Sequence, residues 1–342
     1  MAALPPFAPI VINSGIATTT AFTSVLNMLN SAFLTNTTAF VASAGCRKPD
    51  EWHGGVWGRA IGGQFDSTAT GTVVGTAGAV AIASGARTGF WGAQFGVDAE
   101  RCNIAGSGWN AHFGITGGYL GANSSANPGT GTVDFSIPFV GLYAAVTGGG
   151  FFADFQVRGD FYDIRVNDPN LGVFGQTLGG QALSAGGSAG YRHDIGPIFV
   201  EPSFSFVWSR LSVDSLRTSG IGAVPVGAFQ FNDIDSLLGR VGVRIGTSFQ
   251  ASSNLVLQPF VSVSAWHEFS EPTTSSFFCA VACGGALPIV LSTSRVGTFG
   301  QFSLGVAAQV LDTGLLSYLR VDYRKGENVE GTSLSGGLRW NF

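Results

Sequence analysis

One serine in this chain has the neighbours of a nucleophile. Gly186-Gly187-Ser188-Ala189-Gly190 fits G-x-S-x-G, the pattern that lifts a serine on a sharp strand-to-helix turn. Here the match falls in mid-strand among glycines, where no such turn is expected, so it is assigned to glycine content. The four histidines, His53, His112, His193 and His267, show no H-E-x-x-H or other paired ligand spacing. Four cysteines scattered along the chain do not make a zinc site. They fit an oxidising compartment, where disulfides persist. Cys279 and Cys283 sit close enough in sequence to close a small ring, and Cys46 with Cys102 is a second possible pair. No phosphate loop or dinucleotide fingerprint occurs, so no catalytic residue, metal or cofactor is expected. A net charge of −4 gives no electrostatic case for binding nucleic acid.

The elements that must carry these residues are strands. Charged residues are 11% of 342, against about 25% in ordinary soluble domains. Glycine contributes 51 residues and phenylalanine 28, and the mean hydropathy is +0.30. Yet no run of about 18 apolar residues appears, as a membrane helix would need. A chain that is apolar on average and polar in every window is an alternating chain. From His53 onward we read about twelve strands, near 53–66, 86–101, 107–121, 132–147, 150–166, 181–195, 197–213, 237–251, 254–269, 294–310, 314–326 and 331–342.

Charge keeps to one parity in these strands. Asp154, Gln156, Arg158 and Asp160 oppose Phe151, Ala153, Phe155 and Val157. Arg240 and Arg244 oppose Val241, Val243 and Ile245, and Arg320, Asp322 and Arg324 oppose Leu319, Val321 and Tyr323. An arginine facing lipid at mid-bilayer costs about 2–4 kcal/mol. The charged set Asp154, Arg158, Asp160, Arg240, Arg244, Arg320, Asp322 and Arg324 is therefore expected to line a pore lumen, paired with carboxylates from neighbouring strands. Connections alternate between short turns and long loops (67–85, 122–131, 167–180, 214–236, 270–293), as in outer-membrane barrels. A soluble sandwich, the competing reading, has no reason to segregate its loops.

The N-terminal 52 residues differ. Residues 1–15 read as a Pro-rich linker remnant, and 16–52 as a helix with its connector. Phe22, Val25, Leu26, Leu29, Ala32 and Phe33 share one helical face, and Asn27, Asn30, Thr23 and Ser24 fall elsewhere. A helix lying in a lumen needs apolar and uncharged polar contacts together. No basic n-region or cleavage pattern precedes it. The chain is then expected to be a fragment, a mature form or a gene product with a misplaced start.

The final strand, Gly331 to Phe342, places Leu338, Trp340 and Phe342 on the lipid side and Arg339 and Asn341 on the lumen side. These residues resemble the C-terminal assembly signal of outer-membrane barrels, which ends in a Phe that the barrel-assembly machinery reads. With a helix-forming N-terminus feeding twelve strands, the chain over residues 16–342 resembles the translocator domain of autotransporters, the type V secretion family. His53–Phe65 carries the Trp-x-Arg of such a first strand at Trp57 and Arg59; Gly186–Arg192, Leu238–Gly246 and Pro259-Phe260 are also similar. The resemblance implies an all-β, 12-stranded antiparallel transmembrane barrel over 53–342, with the helix in its lumen. It implies export of an N-terminal passenger, which is absent here, in the bacterial outer membrane. Lipids, the assembly machinery and the passenger would be the partners of a monomer. Some members cut the linker through an asparagine; Asn27 and Asn30 are read here as helix surface. Alternatives are a small-solute channel or porin with the N-terminal segment outside the barrel, and an outer-membrane hydrolase using Ser188.

Overall fold

The computed structural model describes residues 7–34, 50–75, 78–280, 288–311 and 313–342. One helix and a single closed antiparallel sheet account for the fold. Twelve strands form the wall: Trp52–Gly75, Gly78–Arg101, Asn110–Ala126, Thr132–Gly148, Phe151–Asp168, Val173–Tyr191, Ile198–Val213, Ile234–Thr247, Leu255–Glu268, Thr298–Val310, Leu315–Gly326 and Val329–Asn341. Each pairs with its neighbours in sequence. The last strand returns to the first in continuous register from Gly55↔Asn341 to Ser67↔Val329. Closure removes the sheet edges, so wall amides and carbonyls bond within the protein.

The alternation sorts side chains by face. Phe151, Phe155 and Val157 point outward and are exposed, as are Val241, Val243, Ile245, Leu319, Val321 and Tyr323. Asp154, Gln156, Arg158 and Asp160 point inward and are buried. This inverts a soluble protein, whose charges face water and whose oily side chains face in.

The five long loops of the sequence reading are largely sheet. Residues 67–85 continue the first hairpin to Gly75 and Gly78. Their Thr, Ala and Gly content reads as loop, but Thr68, Thr70, Thr72 and Val73 are β-branched and their backbones find partners. Strands Leu216–Ile221 and Val224–Phe231 form a hairpin within 214–236. Thr273–Cys279 pairs with Val224–Phe231 and with Ile289–Thr293, which in turn meets residues 71–73 of the first strand. The wall thus rises into a β collar at one end, while the opposite end keeps tight turns such as Gly149-Gly150.

The helix also differs from expectation. It spans Ala8–Phe33, starting within the stretch read as linker. Pro9 stands at its second position, where the amide it lacks has no helical partner in any case. Residues 35–49 of the stretch expected as helix and connector lie outside the described residues.

Candidate functional site

The helix lies inside the barrel. Its side chains are buried around nearly the whole circumference, Thr18, Thr19 and Thr20 as fully as Phe22 and Leu26. Buried hydroxyls need acceptors, and several turn back on the helix: Thr20 Oγ1 donates to the Ile16 carbonyl at 2.7 Å and Thr23 Oγ1 to that of Thr20 at 3.1 Å. Gly15 allows close approach to the wall, because a Cβ there would lie 2.5 Å from Leu291 Cδ1. Phe22 meets Phe231 and Phe135 edge-on at 5.1 and 6.0 Å, and Phe33 meets Phe139 at 5.2 Å. These rings belong to one apolar cluster with Ile61, Phe65, Phe90, Leu120, Ile137, Ile164 and Leu211 of the wall.

Direction follows from two contacts. Asn13 Nδ2 donates to the Pro128 carbonyl at the collar end, and the Phe33 carbonyl accepts from Arg59 Nη2 at 2.6 Å farther down the barrel. The helix therefore enters at the collar and points toward the short turns. Polar bonds hold its lower half. Arg158 Nη2 donates to Asn30 Oδ1 at 3.1 Å, Asn30 Nδ2 to Ser209 Oγ at 2.8 Å, and Arg324 Nη1 to Ser31 Oγ at 2.8 Å. Arg158 itself is fully buried and bonded to both oxygens of Asp160, and Asp160 Oδ2 also accepts from Ser184 Oγ at 3.2 Å.

The other expected lumen residues are also inside the wall. Arg244 reaches Glu201 at 2.6 Å; Arg320 reaches Asp322 at 3.1 Å, and Asp322 also accepts from Gln301 at 3.1 Å. Asp154 lines the space beneath the helix. Arg240 departs from the expected carboxylate pairing. Its Nη1 donates to Ser203 Oγ at 3.2 Å and its guanidinium lies 5.8 Å from the Trp266 ring, with no carboxylate partner among the described residues. The opposing strands offer Ser203, Ser205 and Ser264 there, not an acid.

Sequence reasoning missed a cluster at the barrel's seam. Arg339 of the last strand crosses the first to bond Asp98 twice, at 2.7 and 2.8 Å, and Glu100 at 3.1 Å. Asn341 Nδ2 adds a bond to Glu100 at 3.0 Å, Tyr143 donates to Asp98, and Trp57 Nε1 donates to Tyr143 at 2.6 Å. Arg59 also bonds Gln94 at 2.7 Å on this side. His112, Asp98 and Glu100 bring ligand atoms within 4.8 Å of one another, a spacing a metal could use. Arg339 already occupies both carboxylates, so the group reads as a closed ion cluster. Its signal in the sequence was parity: Asp98 and Glu100 share a face, as do Arg339 and Asn341.

The remaining candidates divide plainly. Leu338, Trp340 and Phe342 face outward at 59%, 50% and 52% exposure, with the Trp340 and Phe342 rings 5.3 Å apart. Cys102 and Cys279 are each disulfide-bonded. Their expected partners, Cys46 and Cys283, lie outside the described residues. Ser188 sits within an extended strand, not a turn, and its hydroxyl has no hydrogen-bond partner.

Known proteins place this geometry. A family model described as the autotransporter β-domain matches residues 56–322. The chain is similar to a probable autotransporter, YcgV, of Escherichia coli K12, at 25% identity over 305 residues, and to the pertactin autotransporter of Bordetella parapertussis, at 24% over 303. Each alignment covers 84% of this chain and 28% of the relative, so the chain spans under a third of the length of these proteins. Among solved structures it resembles the transport unit of AIDA-I from Escherichia coli, with TM-score 0.68 and 16% identity over 94% of this chain and 97% of that one. The β domain of the Bordetella autotransporter BrkA gives 0.62 and 19%, covering 84% and 98%. The translocator domain of NalP from Neisseria meningitidis gives 0.57 and 14%, covering 96% and 99%. These likenesses concern the fold; with the family match over most of its length, the chain belongs to the autotransporter β-domain family.

Proposed function

We propose that this barrel spans the bacterial outer membrane as a pore that delivers a passenger, carried N-terminal to the helix, to the cell surface. The observation that carries this reading is the direction of the buried helix. The N-terminus of the helix, at Ala8, lies at the collar, while the barrel's own first and last strands, Trp52 and Asn341, meet at the short-turn end. An outward apolar band with a charged interior suits lipid outside and water inside. The porin alternative required the N-terminal segment outside the barrel, and Ala8–Phe33 is within it. Outward Leu338, Trp340 and Phe342 suit recognition by the assembly machinery before closure, and a barrel without open edges has no need of a second copy to pair its strands.

In this reading the helix is a plug left in the pore. Deleting residues 1–34 should raise single-channel conductance in planar bilayers several-fold, because a helix with side chains is about 10–12 Å wide and fills much of the lumen. Conductance equal to that of the full chain would remove the plugging role.

A further inference from the structure

Beneath Phe33 the lumen opens into a cavity of about 90 Å³, between the helix and the short-turn end. Arg59, Arg240, Arg244 and Arg320 line it, against two carboxylates, Asp154 and Glu201. Glu201 is held by Arg244 at 2.6 Å, and Arg320 by Asp322 at 3.1 Å. Arg240 has only Ser203, and its Nε has no partner. The Ser188, Ser205 and Ser335 hydroxyls line the same space, each more than nine-tenths buried and each without a partner.

Donors that no protein group bonds, gathered around one cavity, suit an acceptor held within it. The donors are a guanidinium and three hydroxyls, and the carboxylates are already engaged. That arrangement accepts negative charge and offers little to a cation. The excess is local, because the chain as a whole carries −4. Higher in the lumen Arg295 and Arg324 also bond hydroxyls, Thr273 and Ser31, and no carboxylate among the described residues.

We propose that this cavity binds a small inorganic oxyanion, phosphate or sulfate, with Arg240 as the charged anchor and Ser188, Ser205 and Ser335 as neutral donors. The space holds several waters, hence one tetrahedral anion. The proposal rests on the lumen being water-filled below the helix, as in the pore reading. In that setting the uncompensated charge of Arg240 would draw anions into the pore ahead of cations.

Equilibrium dialysis of the folded full chain against radiolabelled inorganic phosphate at low salt tests this. One saturable site is expected. Arg240→Gln should weaken it about tenfold, Arg240→Lys should largely keep it, and Arg87→Gln on the outer surface should leave it unchanged. Absence of saturable binding, or equal binding by Arg240→Gln and the parent, overturns the proposal. If Arg240→Gln loses heat-modifiable mobility, Ser205→Ala decides: a weakening of about twofold or more supports the site and none sinks it. The pore reading fails separately, through unchanged conductance on deleting residues 1–34.

Discussion

The two halves of the lumen solve the same problem in different ways. Toward the collar the space is closed by apolar contact: Phe22, Phe135, Phe231, Leu120 and Ile164 pack as the core of a soluble protein packs. Toward the short turns it is lined by charges that bond one another, with Arg339, Asp98 and Glu100 at the seam and Arg244 with Glu201 opposite. The difference separates two roles. Apolar packing holds the helix without tying it to a unique partner, so the collar half sets how firmly the helix is seated. Directional bonds between wall strands fix which strand meets which, so the short-turn half sets whether the barrel closes.

The comparison breaks first at the seam. Arg339→Ala leaves Asp98 and Glu100 buried without their cation, which should cost about 4 kcal/mol. The fraction of chain that reaches heat-modifiable, folded form in the outer membrane should fall, and deletion of Phe342, whose carbonyl accepts from Gly54 at 3.2 Å, should lower it too. Normal assembly of both variants would show that the seam bonds do not govern closure. Next, Phe22→Ala removes a ring from the collar-side core at about 3 kcal/mol. It should leave heat-modifiable migration intact and raise the residual conductance of the full chain; loss of folding instead would mean that the two halves are not separable. The smallest effect belongs outside both halves. Asp66 and Arg87 form a 2.7 Å pair, each at least half exposed, on the outer wall. Asp66→Asn should move the urea midpoint by less than about 1 kcal/mol equivalent.

Much of this was legible from period and parity alone. Alternation around Asp154–Asp160 and Arg320–Arg324 fixes which face is inward, because a strand has only two faces. The final strand's partner followed from closure. Three things were not legible. The helix start was hidden because proline reads as a breaker, although at a helix's second residue it breaks nothing. The collar was hidden because Thr, Gly and Ala mark loops and extended hairpins alike. The bonds from Asn30 to Arg158 and from Arg339 to Asp98 join residues far apart in sequence. They depend on the rotation of the helix and on register accumulated around the barrel, which no local pattern records.

The seam has a consequence for time as well as for stability. Its two strands stand at opposite ends of the barrel sequence, with Gly55 opposite Asn341. A ribosome makes the second only when nearly everything else exists. The seam therefore cannot close before the last strand has been made. Contacts of such sequence separation form slowly, since a long loop must be ordered before it is rewarded. The bonds of Arg339 and Asn341 to Asp98 and Glu100 are thus among the latest that the order of synthesis allows.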